Sequence, residues 1–154
     1  MTSTNGRLLV GLGSPHGDDR LGWHIAELVE SHDLSGLTIR RATSPSALID
    51  WLEGVERLAI CDACQGSGRA GTAHCWQWPD EALAPVRFRG SHDMGLAAVL
   101  GLADALGLLP ARVTIWTIEG MAIRPVSLQL DSDLSPAVLA AVPALVEQIE
   151  NELR

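Results

Sequence analysis

The chain reads as an α/β sandwich with helices on both faces of one sheet, and three observations predict it. Short continuous apolar runs, Leu8–Val10 and Leu58–Cys61 among them, have the pattern of strands buried on both faces. Between them lie segments with apolar residues at helical spacing, as at Leu21, Ile25, Leu28 and Val29. Two Ser-Pro pairs, Ser44-Pro45 and Ser135-Pro136, each place a capping residue before a proline at the first helical position. Alternation of these signals favours layers of helix over a sheet. The 154 residues suit one domain, residues 1–154, able to bury about two-thirds of its unfolded surface in a single core.

The elements follow in order. Strand one, Leu8 to Val10, runs into a glycine-rich turn, in which Gly11 and Gly13 permit a sharp bend and Pro15 and Gly17 delay the next helix. Asp18 and Asp19 stand where a helix N-terminus favours negative charge, and one of them is expected to cap it. The first helix spans Leu21 to Val29. Leu37 to Arg41 alternates apolar and polar, which predicts a short second strand near the sheet edge. Ser44-Pro45 opens a helix through Leu52, with Leu48, Ile49 and Leu52 inward. Leu58 to Cys61 is strand three, ending at Asp62.

A glycine-rich loop, Gln65 to Gly71, leads to a fourth strand, Thr72 to Trp78. That connection is too short for a crossover helix, so strand four is expected antiparallel to strand three. Pro79 to Gly90 reads as irregular. Ser91-His92-Asp93 precedes an apolar helix, Met94 to Leu106, which Leu109-Pro110 breaks. Arg112 to Ile118 is the fifth strand, Gly120 to Leu130 a loop, and the last helix runs from Pro136 to about Leu153.

Composition narrows the function. Hydrophobic residues make up 47% of the chain and the formal net charge is −8, with no lysine present. That leaves no basic surface for a nucleic-acid backbone. Met1 to Gly6 is polar, without the features of a signal peptide, and no apolar run reaches the length of a membrane span. A cytoplasmic protein is expected. The glycine loop is a poor nucleotide cradle: the sixth position counted from Gly11 is His16, not glycine, and a P-loop would need a lysine. Two carboxylates would also repel a phosphate there.

In open α/β sheets the ligand crevice lies beyond the carboxyl ends of the strands. Asp19 follows strand one and Asp62 terminates strand three, so neighbouring strands one and three would place both carboxylates at one end. His92, at the mouth of the apolar helix, would close the triangle. Asp19, Asp62 and His92 then form an O/O/N donor set for a divalent ion, of a kind that suits Zn, Ni or Fe better than Ca or Mg. Each residue alone has an ordinary structural alternative, Asp62 as a turn cap and His92 as a helix-start residue bonded to backbone. The case rests on their joint placement.

Cys61-Asp62-Ala63-Cys64 with His74 and Cys75 offers a second metal reading. With Cys61 in the strand and Cys64 beyond it, buried free cysteine is the expected state. A redox C-x-x-C would need a helix N-terminus after it, where this chain has glycine-rich loop.

The segment Gly11-Leu12-Gly13-Ser14-Pro15-His16-Gly17-Asp18-Asp19-Arg20-Leu21-Gly22 resembles the N-terminal glycine/double-acid motif of the [NiFe]-hydrogenase maturation endopeptidases. Ile60-Cys61-Asp62-Ala63 is similar to that family's strand-end Asp, and Ser91-His92-Asp93-Met94-Gly95-Leu96 to its Ser-His-Asp helix start. Thr117-Ile118-Glu119-Gly120 and Leu134-Ser135-Pro136 fall where the family has comparable segments, so the resemblance runs over nearly the whole chain.

It implies a single three-layer α/β/α domain with a five-stranded, mostly parallel twisted sheet and one antiparallel strand. It implies a peptidase that removes the C-terminal extension of a hydrogenase large-subunit precursor after nickel insertion. Nickel carried by the substrate would be the recognition signal, engaged by Asp19, Asp62 and His92, and Zn or Cd would suit the same donors. The partner would be that precursor, and the protease a monomer. The family usually has Asn at the place of Ser14 and Gly at the place of Arg20; an Arg here is expected to pair with Asp19 and compete with a metal for it.

Two other readings remain on the sequence alone. Gly11 to Pro15 is also similar to the first loop of peptidyl-tRNA hydrolases, whose substrate demands the basic surface this chain lacks. A hydrogenase-assembly chaperone that binds the precursor without cutting it would share all the motifs.

Overall fold

The computed structural model describes residues 6–83, 86–88, 95–121 and 134–154. Six strands form one sheet: β1 (Arg7–Leu12), β2 (Leu37–Ala42), β3 (Arg57–Gln65), β4 (Ala73–Gln77), β5 (Arg87–Phe88) and β6 (Arg112–Glu119). The order across the sheet is β2-β1-β3-β6-β4, with β5 paired to the far end of β3. β2, β1, β3 and β6 are mutually parallel, and β4 runs antiparallel to β6. Three α-helices cover the faces: α1 (Leu21–Ser31), α2 (Leu96–Ala105) and α3 (Pro136–Leu153).

Successive strand residues point to opposite faces, and both faces are dry, which is why the central strands read as unbroken apolar runs. Leu8, Val10, Leu12, Ile60 and Ile115 pack with Leu48, Val99 and Leu100 in the layer of α2. Leu9, Ala59, Cys61, Trp116 and Ile118 pack with Ile25, Val29, Val142 and Ile149 in the layer of α1 and α3. None of the helices described is long and apolar enough to cross a membrane.

The α/β sandwich and its mostly parallel sheet are as expected, with four differences. Strand four has the expected direction, but its neighbour is β6, because β6 inserts between β3 and β4. The irregular stretch after Pro79 contributes a sixth strand, Arg87–Phe88, antiparallel to β3. Ser44-Pro45 opens a 3-10 helix, Pro45–Trp51, rather than an α-helix, with Ser44 Oγ accepting from the Ser46 N–H at 3.4 Å. Finally, β3 does not stop at Asp62. It continues to Gln65, because Asp62, Ala63 and Cys64 all pair with β6, in register with Thr117, Ile118 and Glu119.

The approach of α1 to the sheet depends on two glycines. A Cβ on Gly22 would lie 2.0 Å from the Leu12 carbonyl oxygen and 2.6 Å from that of Cys61; one on Gly11 would lie 2.1 Å from the Gly22 carbonyl oxygen. The first turn of α1 therefore rests directly on the backbones of β1 and β3. This contact fixes where the preceding 3-10 turn, Gly17–Arg20, sits at the carboxyl end of the sheet.

Candidate active site at the carboxyl ends of the strands

The two adjacent acids have separate placements. Asp18 is buried, and its carboxylate accepts three hydrogen bonds: from the Met121 N–H at 2.8 Å, the Ser135 N–H at 2.7 Å and the Ser135 hydroxyl at 3.0 Å. It thus ties the turn after β1 to the end of β6 and to the N-cap residue of α3. Asp18 thus bonds the N-cap residue of α3, Ser135, a helix distant in sequence from its own turn.

Asp19 is half-buried on the same turn, held by backbone bonds to Ser14 and His16. That turn packs against β3. Arg20 directs its guanidinium to Glu27 at 3.6 Å.

Asp62 is 1% exposed and lies on the α2 side of β3, alternating with Cys61 and Ala63 on the other. Because β3 and β1 are neighbours, Asp62 and the turn carrying Asp19 do share one end of the sheet. The cross-strand register aligns Asp62 with Thr117 of β6 and Thr117 with His74 of β4. One face of the sheet therefore carries a polar row in an otherwise apolar layer. Trp76 closes it by donating its indole N–H to Thr117 Oγ1 at 3.1 Å. His92, the third expected ligand, falls outside the described residues, as do Ser91, Asp93 and the expected loop beyond Met121.

One row further along, Glu119 is 5% exposed and opposite Cys64. Its Oε1 accepts the backbone N–H groups of Gly66 at 2.6 Å and Ser67 at 3.0 Å. The carboxylate so shapes the turn that leaves β3. Sequence reasoning did not single out Glu119, although a carboxylate closing an apolar strand is the same signal that marked Asp62.

The cysteines are free. Burial, aided by the Asp62 charge, pushes the Cys61 thiol far above its ordinary range, and burial also raises Cys64 despite hydrogen bonds from Ser67 and Thr117. Neither is a thiolate nucleophile at neutral pH. Cys61 lies in the α1/α3 layer and Cys64 on the opposite face, so one zinc ion would not reach both. Cys64 lies within β3 and not beyond it, and strand alternation sets the two thiols apart. His74 directs Nε2 to the Ser67 carbonyl oxygen at 3.0 Å rather than to a hydroxyl or thiol.

Comparisons with known proteins agree with this architecture. The profile of the HycI hydrogenase maturation protease family matches residues 38–152. Among solved structures, the [NiFe] hydrogenase maturation protease HybD from Thermococcus kodakarensis has a TM-score of 0.76 at 26% identity, over 96% of this chain and 99% of its own. The hydrogenase 2 maturation peptidase from a Thaumarchaeota archaeon has a TM-score of 0.67 at 28% identity, over 96% and 97%. The maturating endopeptidase HybD from E. coli shares the fold, with a TM-score of 0.75 at 24% identity over 96% and 92%. A search of curated proteins returns no match. The profile match begins beyond the glycine/double-acid loop, whereas the structural likeness covers nearly the whole chain. On both grounds the chain belongs to the hydrogenase maturation protease family and is an endopeptidase of hydrogenase maturation.

Proposed function

We propose that this peptidase removes the C-terminal extension of a [NiFe]-hydrogenase large-subunit precursor, recognising nickel already installed in that precursor, and that Asp19, Asp62 and His92 engage the metal. One observation carries the reading: a buried carboxylate, Asp62, at the carboxyl end of the central strand, beside the turn that presents Asp19. Two carboxylates and an imidazole are donors that suit Ni, and also Zn or Cd. The nickel arrives as substrate. With the precursor docked, the scissile carbonyl would be polarised by it and attacked by water, and one carboxylate would take the water's proton and pass it to the departing amine nitrogen as the C–N bond breaks. The high thiol pKa values of Cys61 and Cys64 support a water nucleophile over a cysteine. In this reading the enzyme works as a cytoplasmic monomer, since one small domain can reach a bond near the end of a large precursor.

The test is a cleavage assay with nickel-loaded precursor, run beside Asp19→Asn, Asp62→Asn and His92→Ala. Release of a C-terminal peptide by the wild type and not by the variants is the expected result. Cleavage that persists in all three variants would refute the site. Tight binding without any mass loss would refute the proposed cleavage and return a chaperone.

A further inference from the structure

Beside the turn that carries Asp19 lies a groove of about 340 Å³, lined by Pro15, Arg20, Trp23, Glu27 and Arg41. Its charge is opposite to that of the molecule. Two guanidinium groups share one carboxylate: Arg41 Nη1 is 2.9 Å from Glu27 Oε1 and Arg20 Nη2 is 3.6 Å from Glu27 Oε2. The side chains that line the groove therefore sum to one positive charge in a chain of net charge −8. Each guanidinium has five N–H donors in a fork that fits a carboxylate. Their side chains are 37% and 47% exposed, accessible to a ligand. One wall is rigid, because Trp23 donates its indole N–H to the Ala42 carbonyl at 3.1 Å.

We infer that this groove is a specificity subsite that takes an acidic side chain of the precursor segment flanking the cut bond. The inference rests on the proposed function for the source of the peptide. Position supports it, since Arg20 directly follows Asp19. An extended peptide held at Asp19 would therefore reach the groove with a residue near the cut bond. Charge supports it as well. An acidic segment is repelled by most of this surface and attracted here, which selects both position and partner. Arg20 and Arg41 act together, one from the turn after β1 and the other from edge strand β2.

The probe is a pair of blocked pentapeptides, acetyl-Ala-Ala-Glu-Ala-Ala-amide and its Gln counterpart, titrated while the indole N–H signal of Trp23 is followed by NMR. The Glu peptide is expected to bind about tenfold tighter than the Gln peptide at low salt, and to lose that preference in Arg20→Gln/Arg41→Gln. Equal affinity of the two peptides for the wild type, or a preference that survives in the double variant, would overturn the subsite. With nickel-loaded precursor, Arg41→Gln is expected to raise KM about tenfold with kcat within twofold. A fall in kcat at unchanged KM would also overturn it. Peptide binding does not depend on cleavage, so a precursor that the wild type leaves intact would count against the proposed function and not against the groove.

Discussion

Replacing Gly22 with alanine sets two known effects against each other. Alanine is the better helix former by about 1 kcal/mol, so propensity alone predicts a more stable α1. The new Cβ, however, would stand 2.0 Å from the Leu12 carbonyl oxygen, 2.7 Å from the Leu12 nitrogen and 2.6 Å from the Cys61 carbonyl oxygen. Real Cβ atoms do not approach closer than 3.0 Å, so α1 must move outward by about 1 Å. These obstacles are strand backbone and do not rotate away. A gap of that size forfeits a quarter to a half of the dispersion between α1 and the sheet. That loss falls on Leu21, Ile25 and Val29, all fully buried.

Overpacking plus lost contact costs about 3–4 kcal/mol, which outweighs the propensity gain. The net loss of about 2–3 kcal/mol gives an expected fall in Tm of about 4–12 °C for a chain of this size. Gly17→Ala is the control: its φ is +54° with nothing within 4 Å, so only backbone strain of about 1 kcal/mol applies. Urea unfolding followed by tryptophan fluorescence measures both. Equal losses for the two variants, or a loss under 1 kcal/mol for Gly22→Ala, would refute the close-approach argument.

Three further outcomes are expected. Asp18→Ala removes a buried acceptor of three hydrogen bonds and should cost about 3 kcal/mol in urea unfolding, whereas Asp19→Asn should abolish cleavage. Partial burial and the charge of Glu152 push the Cys75 thiol up to about 11. Its alkylation should therefore be slow at neutral pH and rise about tenfold per pH unit toward that value, while Cys61 and Cys64 react only in denaturant. Arg7 donates to the carbonyls of Leu153, at the end of α3, and of Ser35, and Arg57 to that of Glu152 at 3.2 Å. Arg7→Ala should lose about 1–2 kcal/mol through the uncapped carbonyls and helix dipole, read as a lower urea midpoint at constant m-value.

Much of the fold was legible because its central strands are buried on both faces. Leu8–Val10 and Leu58–Cys61 have no other use for so many consecutive apolar residues. The neighbour of β4 was not legible. Short linkage to β3 shows direction, but the insertion of β6 between them depends on pairings formed 37 or more residues apart, as between Trp76 and Ile115. The Ser-Pro signal at residue 44 marks where a helix starts and not whether its bonds close as α or 3-10.

The acids show the limit most plainly. Asp18 and Asp19 are chemically identical neighbours, and their division of labour is set by Met121 and Ser135, 103 and 117 positions away from Asp18. Asp62 was found from its place near a strand end, even though the strand runs on to Gln65. Its row with Thr117 and His74 needed the register.

The Asp18 carboxylate has one more effect. Met121 and Ser135 bind the same side chain, so one buried anchor holds together the two ends of the interval between them. Lengthening it would add entropy only logarithmically, about 0.6 kcal/mol for a doubling. Insertions between the two ends would therefore cost the fold little, while the turn that carries Asp19 stays in place.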